Sequence, residues 1–214
     1  MEPVEALKVS NQKKASVVIK GLERRGMSAI YFSTKEEAFA FIKSKLHKSD
    51  LISWGGSVTL QEIGLLSYLR DNEYHLIDRN KAADFEELRK MYSEAMLCNV
   101  YFMSSNAITM DGELVNIDGN GNRVGALIYG PQNVVIVAGM NKIVPNVEEG
   151  ISRIKNTAAP LNAWRGDYET GCKYAGHCVN CMTEECMCGQ IVVTRYARIP
   201  NRIHVVLVGE SLGF

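Results

Sequence analysis

The stretch SAIYFSTKEEAFAFIKSKLHKSDLISWGG, residues 28–56, decides the fold class. SAIYFS is a short apolar run of strand type. TKEEAFAFIKSKL then carries apolar residues at helical spacing behind the cap candidate Thr34, and DLISWGG is a second apolar run ending in glycines. Strand, helix and strand in so few residues is the pattern of a parallel crossover unit, and the flanking chain extends it. Upstream, over residues 3–25, Val4, Leu7, Val9, Val17, Val18 and Leu22 recur at roughly helical spacing and Gly26 supplies a stop, which predicts a long first helix. Downstream, VTLQEIGLLSYLR predicts a helix interrupted near Gly64, and YHLID a strand. AADFEELRKMYSEAML predicts a helix with Phe85, Leu88, Met91, Tyr92 and Ala95 on one face.

After Cys98 the texture changes to short apolar runs, NVYFMSS, NAITMDGELVNIDGNGNRVGALIYG and NVVIVAGM, broken by DG and GNGN turn signals. These read as hairpins joined to the main sheet. PNVEEGISRIKNTAA returns to helix with Asn146 as its cap, and Pro160 is expected to end it. A cysteine-rich segment without hydrophobic periodicity follows, then IVVTRYARI and RIHVVLVG, both of strand character. The expected architecture is one α/β domain over residues 1–214, with a mainly parallel sheet, hairpin additions and a Cys-rich insertion at about residues 165–190.

With 214 residues, 46% of them hydrophobic, the chain can cover both faces of a sheet. Its 24 basic residues balance 24 acidic ones without long blocks of one sign, which argues against nucleic acid or an anionic membrane as partner and for a small molecule or a protein. The start MEPVEALKVSNQKK has no apolar core of signal-peptide type, and the run NVVIVAGMNKIV is too short and polar to span a bilayer. A cytoplasmic location is expected. Clustered thiols there are metal ligands or redox groups more often than structural disulfides.

Three polar segments are candidates for chemistry. Gly55, Gly56 and Ser57 lie between a strand and a helix, where backbone N–H groups receive an anion; the plain alternative is a tight turn capped by Ser57. Asn106, Thr109 and Asp111 follow the strand VYFMSS and so share an edge with the glycines, Arg123 is a possible anion fork or a solvated hairpin residue, and Asn141 and Lys142 close an apolar strand. Lys142 reads as an anion ligand, an activated amine or a surface lysine. The four histidines are scattered, and His75 and His204 sit in apolar runs that suit a core role; Cys98 reads as a small core hydrophobe.

The segment GCKYAGHCVNCMTEECMC, residues 171–188, holds Cys172, Cys178, Cys181 and Cys188 as C-x5-C-x2-C-x6-C, with Cys186 as a fifth thiol and His177 beside Cys178. Four thiolates from one short loop suit tetrahedral zinc or a cubane iron–sulfur cluster. The spacing matches neither a zinc ribbon nor a bacterial ferredoxin, which leaves the metal open, and free reduced thiols are the alternative.

WGGSVTLQEIG and NAITMDGELVNIDGNGNRVGALIYGPQNVVIVAGMNKIV together resemble the LUD-domain family, lactate-utilisation proteins of the YkgG type, over nearly the whole chain. The ending RIHVVLVGESLGF is similar to that family's, and the cysteine segment to its cysteine-bearing branch. The resemblance implies a three-layer α/β sandwich of the ribose-phosphate isomerase and CoA transferase-like type. It implies a component of iron–sulfur systems that oxidise L-lactate or a similar small hydroxy acid, with a 4Fe-4S cluster favoured over zinc. Gly55, Gly56, Ser57, Thr59 and Glu62 match its first signature, Asn106, Thr109 and Gly112 its second, and Asn122, Arg123, Asn141 and Lys142 the continuation. Cys172, Cys178, Cys181 and Cys188 match the branch's cysteines, while Cys186 stands where arginine is usual. Partners implied are a small anion, iron–sulfur oxidoreductase subunits and a second copy of the chain. The competing readings are a stand-alone enzyme acting on a phosphorylated or CoA-linked molecule, with Glu62 or Lys142 in acid–base work, and a binding subunit without chemistry.

Overall fold

The computed structural model describes residues 1–214, and its first half follows the predicted alternation: α1 (Pro3–Arg24), β1 (Ser28–Phe32), α2 (Lys35–Ser44), β2 (Leu51–Trp54), α3 (Val58–Glu62), α4 (Leu65–Asp71), β3 (His75–Ile77), α5 (Phe85–Ala95) and β4 (Val100–Met103). The caps are those expected. Thr34 forms a full capping box with Glu37, and Ser57 accepts from the Leu60 N–H at 3.3 Å. Gly64, in the left-handed region at φ 77°, separates α3 from α4 where the sequence suggested a break.

The second half contains β5 (Ala107–Thr109), β6 (Leu114–Asp118), α6 (Asn122–Ile128), β7 (Asn133–Gly139), β8 (Ile143–Val144), α7 (Val147–Arg153), α8 (Ala159–Gly166), α9 (Gly171–Ala175), β9 (Gln190–Thr194) and β10 (Ile203–Val208). The main sheet has six strands in the order β1-β10-β7-β4-β2-β3, all pairs parallel. Its central strands are apolar on both faces, as a sheet covered by helices on two sides requires. Along β10, Ile203, Val205 and Leu207 join a cluster with Val18 and Leu22 of α1 and Leu127 of α6, whereas Val206 and Val208 join Ile42 of α2, Leu60 of α3 and Leu69 of α4. This division at a period of two makes three layers, and each buried Val, Leu or Ile side chain stabilises the fold by about 1.5–3 kcal/mol.

Four expectations are corrected. The hairpin of β5 and β6 does not extend the main sheet; it forms a second sheet in the order β8-β5-β6-β9, whose inner face packs through Val115 and Ile117 on Ile154 and Ala158. Pro160 does not end the helix begun at Val147, because a π-helical turn at residues 154–158 loosens the i−4 ladder just ahead of it and Pro160 enters α8 in the first turn, where its missing N–H costs nothing. Only Ala95 of the predicted α5 face is fully buried, and Phe85 is exposed. His75, on the edge strand β3, is exposed rather than in the core, while the half-buried His204 bonds Ser28 and Asn133. No helix is long and apolar enough to cross a membrane.

Candidate functional site

In the main sheet the chain leaves β2 toward the edge strand β3 but leaves β4 in the opposite direction, toward β7. Strand order therefore reverses between β2 and β4, and the loops after them, residues 55–57 and 104–106, flank the crevice where open α/β sheets bind ligands. The two glycines make room for arginines. A Cβ on Gly55 would meet Arg123 Cγ at 2.9 Å, and one on Gly56 would meet Arg79 Nη2 at 2.7 Å.

Arg123 is buried, and every donor of its guanidinium is engaged. Nη1 donates to the Ser104 carbonyl at 3.0 Å and Asn116 Oδ1 at 2.6 Å, Nη2 to Asn106 Oδ1 at 2.8 Å and the Ile117 carbonyl at 2.9 Å, and Nε faces Asp118 Oδ2 at 3.3 Å. Neither the solvated residue nor the free anion fork of the sequence reading is realised. Arg123 instead locks the loop after β4 onto β6. Asn106 is held on its backbone and Oδ1 by Asn116, Ile117, Arg123 and Arg153, which leaves its Nδ2 without a protein acceptor.

A cavity of about 450 Å³ opens beside this lock. Gly56, Asn106, Asn122, Cys186 and Cys188 line it, with Arg79, Arg123 and Arg165 set against Asp118, Glu184 and Glu185; Arg79 and Arg165 are paired with no carboxylate. Arg79 and Arg165 escaped the sequence reading. Arg79 could have been found, since it stands two residues past the end of β3 at the same carboxyl edge.

Thr59, Glu62, Asn141 and Lys142 form a separate group beneath the C-terminal residues. Lys142 Nζ donates to Thr59 Oγ1 and Ser104 Oγ, both at 2.9 Å, and its side chain is only 3% exposed. Burial above all, then the charges of Arg153 and Arg123, pushes its pKa down to about 7, with Glu62 opposing weakly. The surface-lysine reading is thereby excluded. Half-buried Arg153 bonds the carbonyls of Asn141 and Asn106 and no carboxylate, so neither it nor the buried Lys142 has an ion-pair partner at this edge. Such an arrangement favours an anion nearby.

Gly112 and Thr109 stand away from the cavity and serve the fold. Gly112, at φ 88°, lets the hairpin turn touch α1, where a Cβ would lie 2.3 Å from the Gly21 carbonyl carbon and Leu22 nitrogen. Arg24 and Arg25 bind Asp111 across the same contact. Thr109 bonds the Glu113 N–H at 2.9 Å and is fully buried. Ser57 is a helix cap.

The cysteine segment begins at α9 and runs without regular structure to β9. Cys172 is buried with its sulfur 3.3 Å from Thr170 Oγ1, the Cys178 N–H donates to Asn156 Oδ1 of the π turn at 3.2 Å, and Cys186 Sγ lies 3.5 Å from the Cys181 carbonyl. All the cysteines are free thiols. Burial first, then the nearness of Cys186, Cys172, Cys178 and Cys181, pushes the Cys188 thiol up to about 11. No three side chains of His, Cys, Asp or Glu stand in a ready-made metal cage, but Cys172, Cys178, Cys181 and Cys186 lie near enough to Cys188 to raise its thiol, and thiolates are soft donors. The donor set fits zinc or an iron–sulfur cluster.

A family model described as the LUD domain matches residues 15–208. A solved structure of a DUF162-family protein from Deinococcus radiodurans resembles the chain with a TM-score of 0.52 at 12% identity, covering 92% of this chain and 98% of that one, which establishes a shared fold. No curated protein matches the sequence.

Proposed function

This chain belongs to the LUD-domain family, and on that premise we propose that it takes part in the oxidation of L-lactate or a similar small hydroxy acid, with a thiolate-bound metal centre beside its anion cavity. The observation that carries the reading is the shared cavity wall: Gly56, Asn106 and Arg79 face the same space as Cys186 and Cys188. Arg79 and Arg165, cations of that cavity with no carboxylate partner, and the free Asn106 amide hold the substrate carboxylate. Arg123 acts as a positioning residue that fixes Asn106. Cys172, Cys178, Cys181 and one of Cys186 or Cys188 would hold the metal. A 4Fe-4S cluster would supply one-electron transfer toward an oxidoreductase partner subunit, whereas zinc would serve order or substrate polarisation.

Protein purified without oxygen is expected to carry about four iron and four sulfide per chain. Cys→Ser changes at Cys172, Cys178 or Cys181 should remove the metal, and one of Cys186 or Cys188 should be dispensable. L-lactate or pyruvate should bind by calorimetry and lose about 1–3 kcal/mol on Arg79→Ala. Absence of both iron and zinc, or an affinity indifferent to Arg79, refutes the reading. The cavity exceeds what a three-carbon acid fills, which favours a second reading, a phosphorylated or CoA-linked ligand; the same titrations with phosphate and CoA decide between them.

A further inference from the structure

Residues 212–214 fold back over the carboxyl edge of the sheet and cover Lys142. Four hydrogen bonds seat them: Leu212 N–H to Asn141 Oδ1 at 3.1 Å, Asn141 Nδ2 to the Gly213 carbonyl at 3.2 Å, Gly213 N–H to Glu62 Oε2 at 2.7 Å, and Thr59 Oγ1 to the Leu212 carbonyl at 3.2 Å. Gly213, at φ 57°, brings backbone directly onto the amine. A Cβ there would stand 2.6 Å from Thr59 Oγ1 and 3.4 Å from Lys142 Nζ.

We infer that Lys142 is a carbonyl-reactive amine under a removable C-terminal strap, and that with the strap lifted it takes a 2-oxo acid as an imine. Two hydroxyls receive its N–H bonds, no carboxylate lies within ion-pair distance, and in the neutral form the nitrogen keeps a lone pair that no protein group uses. In the closed protein burial, then the neighbouring Arg153 and Arg123, favours that neutral form against Glu62, and the two arginines go on opposing protonation when the strap lifts. Arg153 spends Nε and Nη1 on carbonyls and leaves Nη2 for the acid's carboxylate. Strap removal also frees the Glu62 carboxylate from Gly213 and opens the space above the amine.

In the step, the Nζ lone pair forms a bond to the ketone carbon while the carbonyl π pair moves to oxygen, which is protonated to a carbinolamine. The nitrogen gives one proton to solvent or Glu62, the hydroxyl takes up a proton and leaves as water while the nitrogen lone pair closes the C=N bond, and the last N–H proton of the iminium passes to the same acceptors, so the amine's two protons balance those of the water released. No electron acceptor is needed. The choice of a 2-oxo acid rests on the proposed hydroxy-acid reading, whose product it is; the amine and its strap do not.

The test incubates full-length protein with pyruvate and cyanoborohydride, which reduces the imine to a stable adduct, and maps modified lysines by peptide mass. Acetaldehyde serves as a carbonyl lacking the carboxylate. Gly213→Ala, whose Cβ unseats the strap, and deletion of residues 212–214 are compared with the parent and with Lys142→Arg. Labelling at Lys142 is expected to be slow in the parent and about tenfold or more faster in either strap variant as the open population grows. Labelling of Lys142 by acetaldehyde but not pyruvate upholds the strapped amine and overturns the 2-oxo acid as its ligand. If both strap variants label surface lysines and never Lys142, a purely structural lysine is the result and the inference fails.

Discussion

Replacing Lys142 by Met should change how stability depends on pH. In the folded protein the amine titrates at about 7, against 10.5 for an unhindered lysine, so the unfolded chain binds more protons than the folded one between those values. Stability of the parent protein must therefore rise with pH across that window, and the penalty for burying the charge is present in full only below about pH 7. At 1.36 kcal/mol per pKa unit the penalty amounts to about 5 kcal/mol in acid, and it falls by roughly 2–3 kcal/mol between pH 6 and pH 9. Met has no proton to lose and is free of it. It also removes the donor that the Thr59 and Ser104 hydroxyls accept from, a cost of about 1–3 kcal/mol that does not vary with pH. Urea unfolding of both proteins at several pH values gives the difference curve: Lys142→Met should compare most favourably near pH 6 and lose that advantage steadily as pH rises. Arg153, Arg123 and Glu62, the charged groups facing the amine, are common to both proteins. A flat difference curve would mean that the amine titrates normally, and the account of Lys142 as a buried, neutral group would be wrong.

Arg123→Lys keeps the charge but cannot reach five acceptors on opposite sides, so it should cost about 3 kcal/mol in urea unfolding and loosen the Asn106 loop. Gly112→Ala should destabilise by about 3 kcal/mol or more, with a matching drop in thermal midpoint, because its Cβ has backbone at 2.3 Å and the residue sits at positive φ; an unchanged midpoint would show that α1 and the hairpin turn are not in tight contact.

Local pattern was enough for the layered α/β class. Apolar runs of strand length alternating with helical spacing, punctuated by Thr34, Ser57, Gly64 and Asn146, depend on neighbours in sequence, and the structure places breaks and caps at those residues. Glycine loops after apolar strands also pointed to one edge of the sheet, because parallel strands deliver all their carboxyl ends to the same side. What periodicity could not reveal was which strands pair and what returns to cover the edge. The runs after Cys98 have the same alternation whether they extend one sheet or found a second, and only the pairing of β6 with β9, far along the chain, settles it. Gly112 looked like part of a ligand loop and is a contact point with α1; Arg123 looked open to ligand and is saturated by acceptors from two segments, the loop after β4 and β6. For Lys142 the sequence left an anion ligand, an activated amine and a surface lysine all open. Its burial comes from residues about 70 positions later, seated by Asn141 and Glu62, and desolvation by a distant segment leaves no trace in local sequence.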